Sequence, residues 1–142
     1  MFKINPYLNF ADNCEQAFNF YKSVFGGEFA MISYFKDMPG GEQMPESELN
    51  KVMHVSLPIG DGFILMGSDT PAEMGEVKAG NNLSISLHPT SEAEGRRLFD
   101  GLSAGGKIIM PYEKTFWNAY YGMFVDKFGI QWMVNYDLEH AA

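Results

Sequence analysis

The sequence contains little cysteine, little basic charge and no long hydrophobic run, and each shortage excludes a class of protein. Its 142 residues include a single cysteine, Cys14, which cannot form an internal disulfide of the kind that stabilises small secreted domains. No apolar run approaches the roughly 18 residues that suggest a membrane span. Residues 1–6 lack the apolar core of a secretion signal. We therefore expect a cytoplasmic protein that does not insert into membranes.

Basic residues are outnumbered by acidic ones. The chain has 10 Lys and Arg against 18 Asp and Glu, which gives a formal net charge of −8. Nucleic-acid binding requires a clustered basic face that neutralises phosphates, so no nucleic-acid partner is expected. A neutral or cationic partner fits this charge better.

Hydrophobic periodicity predicts a strand, a helix and three further strands in the first half of the chain. The helix begins at a capping box of Asp12 and Glu15, and its apolar stripe ends at Gly26 and Gly27. Residues 36–50 show no period and predict a mobile, acidic loop. The strands are predicted at 3–10, 28–35, 52–59 and 63–68, the last two as a hairpin.

The second half of the chain repeats this order of elements. A second capping box, Ser91 with Glu94, begins a helix, and strands are predicted at 83–87, 107–112, 120–125 and 130–136. A shift of 79 residues places Asp12 on Ser91, and a shift of 67 places Met66 on Met133. The chain therefore predicts two βαβββ modules, at about 1–69 and 80–142 with a linker at 70–79, within one domain.

Short motifs in a fixed order resemble the PhnB-like branch of the vicinal oxygen chelate superfamily, which includes glyoxalases, bleomycin-resistance proteins and dioxygenases. They are PYLNF at 6–10, FY at 20–21, VFGG at 24–27, VMH at 52–54, LMGSD at 65–69, YG at 121–122 and DKFGIQW at 126–132. The resemblance implies an α+β fold in which paired βαβββ modules form a curved mixed sheet around a cavity, as in dihydroxybiphenyl dioxygenases. It also implies a homodimer, which would cover open sheet edges.

Members of this branch often carry the label 3-demethylubiquinone-9 3-methyltransferase. The chain has no strand followed by a glycine-rich fingerprint that would bind an adenosyl cofactor. We therefore expect no cofactor and give the methyltransferase label little weight.

Metal-dependent members of the superfamily take His or Glu ligands from the first and last strands of each module. The resemblance places Met66 and Met133 at the last-strand positions, and a thioether is a poor ligand for hard or borderline divalent ions. The first strands offer no His or Glu before His88; they offer Pro6, Tyr7, Leu8, Asn9, Asn82, Ser84 and Ser86. We therefore expect no metal site, and Met66 and Met133 would form a soft apolar floor instead.

His54 is the main candidate for catalysis. Strand alternation places it with Val52 and Ser56 on one face, where it could act as a general base or donate to a ligand. The alternative is a half-buried structural histidine that is satisfied by a neighbour. His88 lies in a loop and His140 in the C-terminal tail, and neither is a candidate.

Aromatic residues are concentrated in the last third of the chain. Trp117, Tyr121 and Trp132 predict either a pocket for a flat or cationic ligand or part of an ordinary core. Cys14 lies on the apolar helix stripe and is expected to pack as a small hydrophobe. Glu42, Glu46 and Glu48 predict a solvated loop, and in this superfamily such loops can cover the cavity.

Two functions follow from these observations. The first is a metal-free protein that sequesters a small apolar or cationic molecule in the cavity between modules, as bleomycin-resistance proteins do, with His54, Ser56, Trp117, Tyr121 and Trp132 as contacts. The second is a lyase, isomerase or transferase that acts on a small metabolite with His54 as general base. The sequence does not decide whether the protein is an enzyme.

Overall fold

A computed structural model describes residues 1–138, and His140 lies outside the described residues. The helices are α1 (Cys14–Phe25), α2 (Glu46–Leu49) and α3 (Glu92–Ser103). The strands are β1 (Tyr7–Phe10), β2 (Met31–Tyr34), β3 (Val52–Ile59), β4 (Phe63–Asp69), β5 (Ile85–Leu87), β6 (Lys107–Lys114), β7 (Ala119–Val125) and β8 (Gln131–Asp137). None of the helices in the described part of the chain is long and apolar enough to cross a membrane.

The chain divides into two compact units, Met1–Lys78 and Ala79–Ala142, and each contains one four-stranded mixed sheet. The first sheet has the strand order β1-β4-β3-β2 and the second has the order β5-β8-β7-β6. In each sheet the first strand of the unit runs parallel to the last, and the remaining pairs are antiparallel. The prediction of an α+β fold with a βαβββ order in each half is confirmed.

The core of the first unit lies between α1 and one face of its sheet. Phe18 of α1 is fully buried against Gly67 of β4. A Cβ atom at Gly67 would lie 2.6 Å from Phe18 Cε1 and 2.8 Å from the Leu8 carbonyl oxygen. Glycine is therefore required for the helix to approach this closely.

In the second unit an aromatic residue of the helix again packs on a glycine of the sheet, but this glycine lies on the third strand of the unit instead of the last. Phe99 of α3 packs on Gly122 of β7, where a Cβ atom would lie 2.5 Å from Phe99 Cε2. Phe99 also stacks on Tyr112 and meets Phe124 edge to face, with ring centroids 5.8 Å and 5.1 Å apart. An aromatic cluster therefore fills the core beneath α3.

The two helix starts differ from each other, and only the second follows the prediction. Ser91 Oγ accepts a hydrogen bond from the Glu94 backbone N–H, at 3.1 Å, so Ser91 caps α3 as expected. The predicted cap at Asp12 is wrong, because α1 begins after Asn13 and has no side-chain cap. Instead, the Cys14 N–H donates to Asp69 Oδ1 from the end of β4.

A β-bulge changes the predicted face of Val52. The register pairs Ser33 with His54 and Tyr34 with Val52, so Met53 is an extra residue on β3. The bulge moves Val52 to the buried side of the sheet, and the prediction that it shares a face with His54 is wrong. Ser56 remains on the His54 side, because regular alternation resumes after the bulge.

The segment 36–50, predicted to be a mobile loop, begins within the 3₁₀ turn Phe35–Asp37 and contains a second 3₁₀ turn, Gly41–Gln43, and α2. Glu48 is buried there, whereas Glu42 and Glu46 are exposed. Its carboxylate pairs with Lys51 Nζ at 2.5 Å and accepts the Ala72 N–H at 2.7 Å. The prediction that Glu48 is solvated is therefore wrong. Its side chain is buried because it joins this segment to the residues that follow β4.

Candidate functional site

Each sheet has one face under its helix and a second face that the helix does not cover. Alternation and register assign the side chains to these faces. The face of the first sheet opposite α1, called the first open face, carries Tyr7, Met31, Ser33, His54, Ser56, Met66 and Ser68. The face of the second sheet opposite α3, called the second open face, carries Ser86, Met110, Glu113, Tyr121, Met123, Met133 and Asn135.

His54 pairs with Tyr7 on the first open face. Tyr7 Oη lies 3.3 Å from His54 Nδ1, and the ring centroids are 5.7 Å apart. Tyr7 is the register partner of Met66, so the pair reaches across β4 from β1 to β3. The prediction did not select Tyr7 as a site residue, although its alternation with buried Leu8 indicates which way it faces.

This hydrogen bond determines what the second ring nitrogen of His54 can do. Among the described residues, Nε2 has no hydrogen-bond partner. If Tyr7 donates to Nδ1, the neutral ring carries its proton on Nε2 and is a donor toward a ligand. If Nδ1–H donates to the phenol oxygen, Nε2 of the neutral ring carries no proton and can accept one from a ligand. Both roles are chemically accessible to His54.

Ser33 adds an unsatisfied hydroxyl to the same face. It lies opposite His54 in the β2–β3 register. Its Oγ atom is buried and has no hydrogen-bond partner among the described residues. Buried hydroxyls are normally satisfied, so the hydroxyl of Ser33 is an exception on this face. Nothing in the sequence pattern indicated this residue.

Trp117 and Tyr121 come together in the second unit. Trp117 lies in the turn between β6 and β7, is 47% exposed, and its ring centroid is 5.9 Å from that of Tyr121. The turn is tight because Asn118 adopts a left-handed conformation and Thr115 N–H donates to the Ala119 carbonyl. Tyr121 Oη contacts Met133 Sδ at 4.0 Å. Trp117 and Tyr121, two of the predicted contact residues, are therefore adjacent, and Tyr121 also contacts Met133.

Trp132 lies in the core rather than with this pair. It is fully buried, and its indole N–H donates to Asp126 Oδ2 at 2.8 Å. Trp132 pairs in register with Phe124, on the α3 side of the sheet, while its neighbour Met133 points to the open face. Alternation along β8 separates these two residues, so Trp132 lies on the opposite face of the sheet from Tyr121 and Met133.

Asp69 and Cys14 are buried side by side in the first unit, and the carboxylate of Asp69 has structural hydrogen-bond partners. Asp69 accepts the backbone N–H groups of Cys14 and Val52, each at 2.9 Å. Burial raises the pKa of Asp69, against the opposing effect of these hydrogen bonds. Burial also raises the pKa of the Cys14 thiol, with a further contribution from Asp69. Cys14 is therefore an unreactive packed residue, as expected.

Asp126 stabilises the turn before β8. Its Oδ1 atom accepts the N–H groups of Phe128 and Ile130, at 2.8 Å and 3.0 Å. An aspartate side chain that accepts backbone N–H groups a few residues further on is a common way to stabilise a turn.

A separate pocket of about 320 Å³ lies in the first unit, beside Glu48. Its lining contains none of the predicted site residues; it consists of Gly40, Gln43, Met44, Pro45, Ser47, Glu48, Pro71, Ala72 and Glu73. Because Glu48 is held by Lys51 and Ala72, its pKa is lowered. The pocket therefore adjoins a structural ion pair.

The resemblance to the vicinal oxygen chelate superfamily assigns the last-strand ligand positions to Met66 and Met133, whose thioethers are poor ligands for hard or borderline divalent ions. Tyr7 is adjacent to Met66 in the first sheet, and Ser86 is adjacent to Met133 in the second. Phenol, alcohol and thioether groups do not match the His and carboxylate ligands of zinc, manganese or non-haem iron sites. Residues 1–138 contain no group of three or more His, Cys, Asp or Glu that could hold a metal ion.

Comparison with known proteins identifies similar chains over nearly the whole length. A family model described as 3-demethylubiquinone-9 3-methyltransferase matches residues 2–135. Protein YjdN of Escherichia coli strain K12 is 32% identical over 143 residues, 93% of each chain. Protein PA1353 of Pseudomonas aeruginosa has a crystal structure with 40% identity and a TM-score of 0.84, covering 96% of this chain and 98% of that chain.

The PhnB protein of Bacillus cereus is 25% identical with a TM-score of 0.77, and the match covers 95% of this chain and 99% of that chain. More distant structures, described as glyoxalase, bleomycin-resistance or dioxygenase proteins, come from Burkholderia phytofirmans and Frankia. They are 16% and 10% identical, with TM-scores of 0.60 and 0.69. These two share the fold alone.

Proposed function

Because the chain belongs to the 3-demethylubiquinone-9 3-methyltransferase family, the PhnB-like branch of the vicinal oxygen chelate superfamily, we propose that it binds a small molecule without a divalent metal ion. The molecule is apolar or cationic, and the protein acts by sequestering it. The observation that carries this proposal is the pairing of Trp117 with Tyr121 on the second unit. The partly exposed side chain of Trp117 beside Tyr121 offers aromatic surface suited to a flat or positively charged group.

The first open face supplies polar contacts of the kind that orient a small ligand. His54, Ser56 and the unsatisfied hydroxyl of Ser33 are neighbours in the β2–β3 register. Ligand sites combine apolar surface with a few such polar groups. The first open face is therefore proposed as a source of polar contacts for a small molecule.

The net charge of the chain favours a cationic ligand, and the available donor groups favour a site that contains no divalent metal ion. The net charge of −8 attracts cations over a distance that salt shortens. The thioethers of Met66 and Met133, in place of His or Glu, make a soft apolar floor. Micromolar binding needs only about 8 kcal/mol, which a few well-packed aromatic contacts provide.

The test is a ligand screen by thermal shift, followed by calorimetry on matched variants. Trp117→Ala should weaken binding of a hit about tenfold, which corresponds to about 1.4 kcal/mol of lost aromatic contact. Phe63→Ala is the control, because Phe63 is an exposed aromatic residue of the first unit outside the proposed site. Hits that respond equally to both variants, or to neither, would refute the assignment.

The alternative function is an enzyme with His54 as general base, and the free Nε2 favours it. Tyr7 would orient the ring by accepting from Nδ1–H, which leaves Nε2 as the base. In that case His54→Ala should lower turnover about 100-fold or more and leave ligand affinity nearly unchanged. In a sequestering protein, the same substitution weakens binding modestly and there is no turnover to lose.

We also propose a cytoplasmic homodimer. Ile108 and Ile109 are about half exposed on β6, which is the edge strand of the second sheet. Exposed apolar edge strands are commonly covered by a partner. A sedimentation mass of about one chain, 16.0 kDa, at micromolar concentration would contradict the dimer.

A further inference from the structure

The pocket beside Glu48 has two walls that come from distant parts of the chain. Residues between 40 and 48 line one wall, and residues 71–73 line the other. The Glu48 carboxylate joins the walls, because Oε1 accepts the Ala72 N–H at 2.7 Å while Oε2 pairs with Lys51 Nζ. The volume of about 320 Å³ falls within the range of about 300–1,000 Å³ that is usual for small-molecule sites.

Local hydrogen bonds hold both walls in place. In the first wall, the Gln43 N–H donates to the Gly40 carbonyl at 3.0 Å. In the second wall, the Met74 N–H donates to the Pro71 carbonyl at 2.9 Å. Binding to a pocket that is already formed costs less ordering than binding to a free loop. A ligand therefore meets a preformed site.

The lining combines negative charge with apolar surface. Its two charged residues are both acidic, Glu48 and Glu73, and the described residues that line the pocket include no Lys, Arg, His or aromatic residue. Met44, Pro45 and Pro71 supply apolar surface. Such a lining is suited to a positively charged group that is attached to a small apolar body.

Glu73 carries the negative charge that the fold leaves uncompensated. The charge of Glu48 is balanced by Lys51, whereas no hydrogen bond or ion pair holds Glu73 within residues 1–138. Gln43 and Ser47 add an amide oxygen and a hydroxyl oxygen to the lining, and both can accept hydrogen bonds. A primary ammonium group has three N–H donors, which matches three such acceptors.

We propose that this pocket binds a small primary ammonium ion with an apolar body, with the Glu73 carboxylate as its counter-charge. A quaternary ammonium ion does not fit equally well, because it donates no hydrogen bond and is usually recognised by aromatic faces. Aromatic surface of that kind lies at Trp117, in the second unit. The proposal does not depend on the small-molecule function proposed above.

The test titrates the full chain with cyclohexylmethylamine, which has no aromatic ring to stack on Trp117. The readout is NMR of methionine labelled with ¹³C at its methyl groups. Met44 lines the pocket, and Met133 contacts Tyr121 and so reports on the aromatic surface. The Met44 signal should shift with a dissociation constant on the order of 1 mM, as expected for a ligand of this size, and the Met133 signal should not.

Two analogues of the probe examine the two features of the ammonium group. Cyclohexylmethanol keeps the apolar body but has no charge, and the trimethylammonium derivative keeps the charge but has no N–H donor. Each should bind at least about tenfold more weakly than the amine, because hydrogen bonds between charged partners are the strong ones.

Glu73→Gln should weaken binding of the amine about fivefold, the value of a partly exposed ion pair, and should leave the weak binding of the alcohol unchanged. Glu76→Gln is the matched control, because Glu76 is exposed and lies outside the lining. It removes the same charge from the chain, so any effect of the overall field is equal in the two variants. The control should bind the amine as the parent chain does.

Four results would overturn the proposal. They are a Met44 signal that does not move, equal affinities for the amine and the alcohol, equal affinities for the amine and its trimethylammonium derivative, and equal losses in Glu73→Gln and Glu76→Gln. A shift at Met133 without one at Met44 would place the amine on the aromatic surface instead. The small-molecule function would survive all of these results, because it is tested with Trp117→Ala.

Discussion

The two units have the same order of elements but hold their helices in different ways. In the second unit, Ser91 caps α3 from the residue directly before the helix. In the first unit, Asp69 reaches α1 from the end of β4, 55 residues along the chain from Cys14. Asp69 also accepts the Val52 N–H, so it ties helix, hairpin and sheet together. The start of α1 therefore depends on a distant buried carboxylate, whereas the start of α3 depends on local capping.

The connections between the second and third strands also differ. The first unit uses a long segment that contains α2 and is held by Glu48, whereas the second uses a tight turn that presents Trp117. At the same place in the repeated fold, the first unit therefore has the Glu48–Lys51 ion pair and the second has the exposed side chain of Trp117. The proposed aromatic contact surface lies on the unit with the shorter connection.

The largest effect is expected for Asp69→Ala, which should lower the free energy of unfolding by about 3 kcal/mol, because two buried backbone donors lose their acceptor. Urea unfolding followed by circular dichroism measures the change. Asp61→Ala, in the exposed β3–β4 turn, is the control and should change stability by less than about 0.5 kcal/mol. A loss at Asp69 no larger than at Asp61 would remove the contrast between the units.

Trp132→Phe should cost about 2 kcal/mol of stability, since it shortens a fully buried side chain and removes the N–H that Asp126 Oδ2 accepts. It should leave ligand affinity unchanged. Trp117→Phe is the matched control at an exposed tryptophan and should barely change stability. If Trp132→Phe weakened binding more than it weakened the fold, the placement of Trp132 in the core would be wrong.

Ser91→Ala should cost about 1 kcal/mol, the usual value of a serine N-cap. The same urea experiment reports it, and Asn13→Ala in the first unit is the comparison, because Asn13 makes no side-chain cap. Equal losses in the two variants would show that local capping matters equally in both units.

The smallest effect is expected for the Glu48–Lys51 pair and depends on pH. The pKa of Glu48 is lowered by its hydrogen bonds to Lys51 and Ala72, so the folded state favours the ionised carboxylate. Its contribution is present above the ordinary glutamate pKa of 4.5 and is lost as the pH falls through the lowered value. The difference in urea midpoint between the parent chain and Glu48→Gln should therefore shrink from pH 7 toward pH 3. A constant difference would contradict this linkage.

Local signals made most of the fold predictable, and long-range contacts account for the errors. The Ser91 cap, the hairpin turn and the helix stripes involve residues a few positions apart, so their patterns are visible in the sequence. Asp12 has the same local pattern, but a distant carboxylate, Asp69, takes its place. Capping chemistry alone cannot tell these cases apart.

The candidate site could likewise be predicted only where local patterns determine it. The selection of His54, Ser56, Trp117 and Tyr121 followed from residue type and alternation. Tyr7 was missed because its contact with His54 depends on which strand lies between β1 and β3. Val52 was assigned to the wrong face of the sheet because no local sequence pattern indicates the bulge at Met53. Strand order and bulges are properties of the assembled sheet.

The single cysteine has a practical consequence for studying the first unit. Cys14 is completely buried, and the raised pKa of its thiol keeps it in the unreactive protonated form. A thiol reagent can therefore label it only after α1 has separated from the sheet. The labelling rate measures how often this happens under native conditions. Since the second unit contains no cysteine, the labelling rate of the unmodified chain reports the opening of the first unit only.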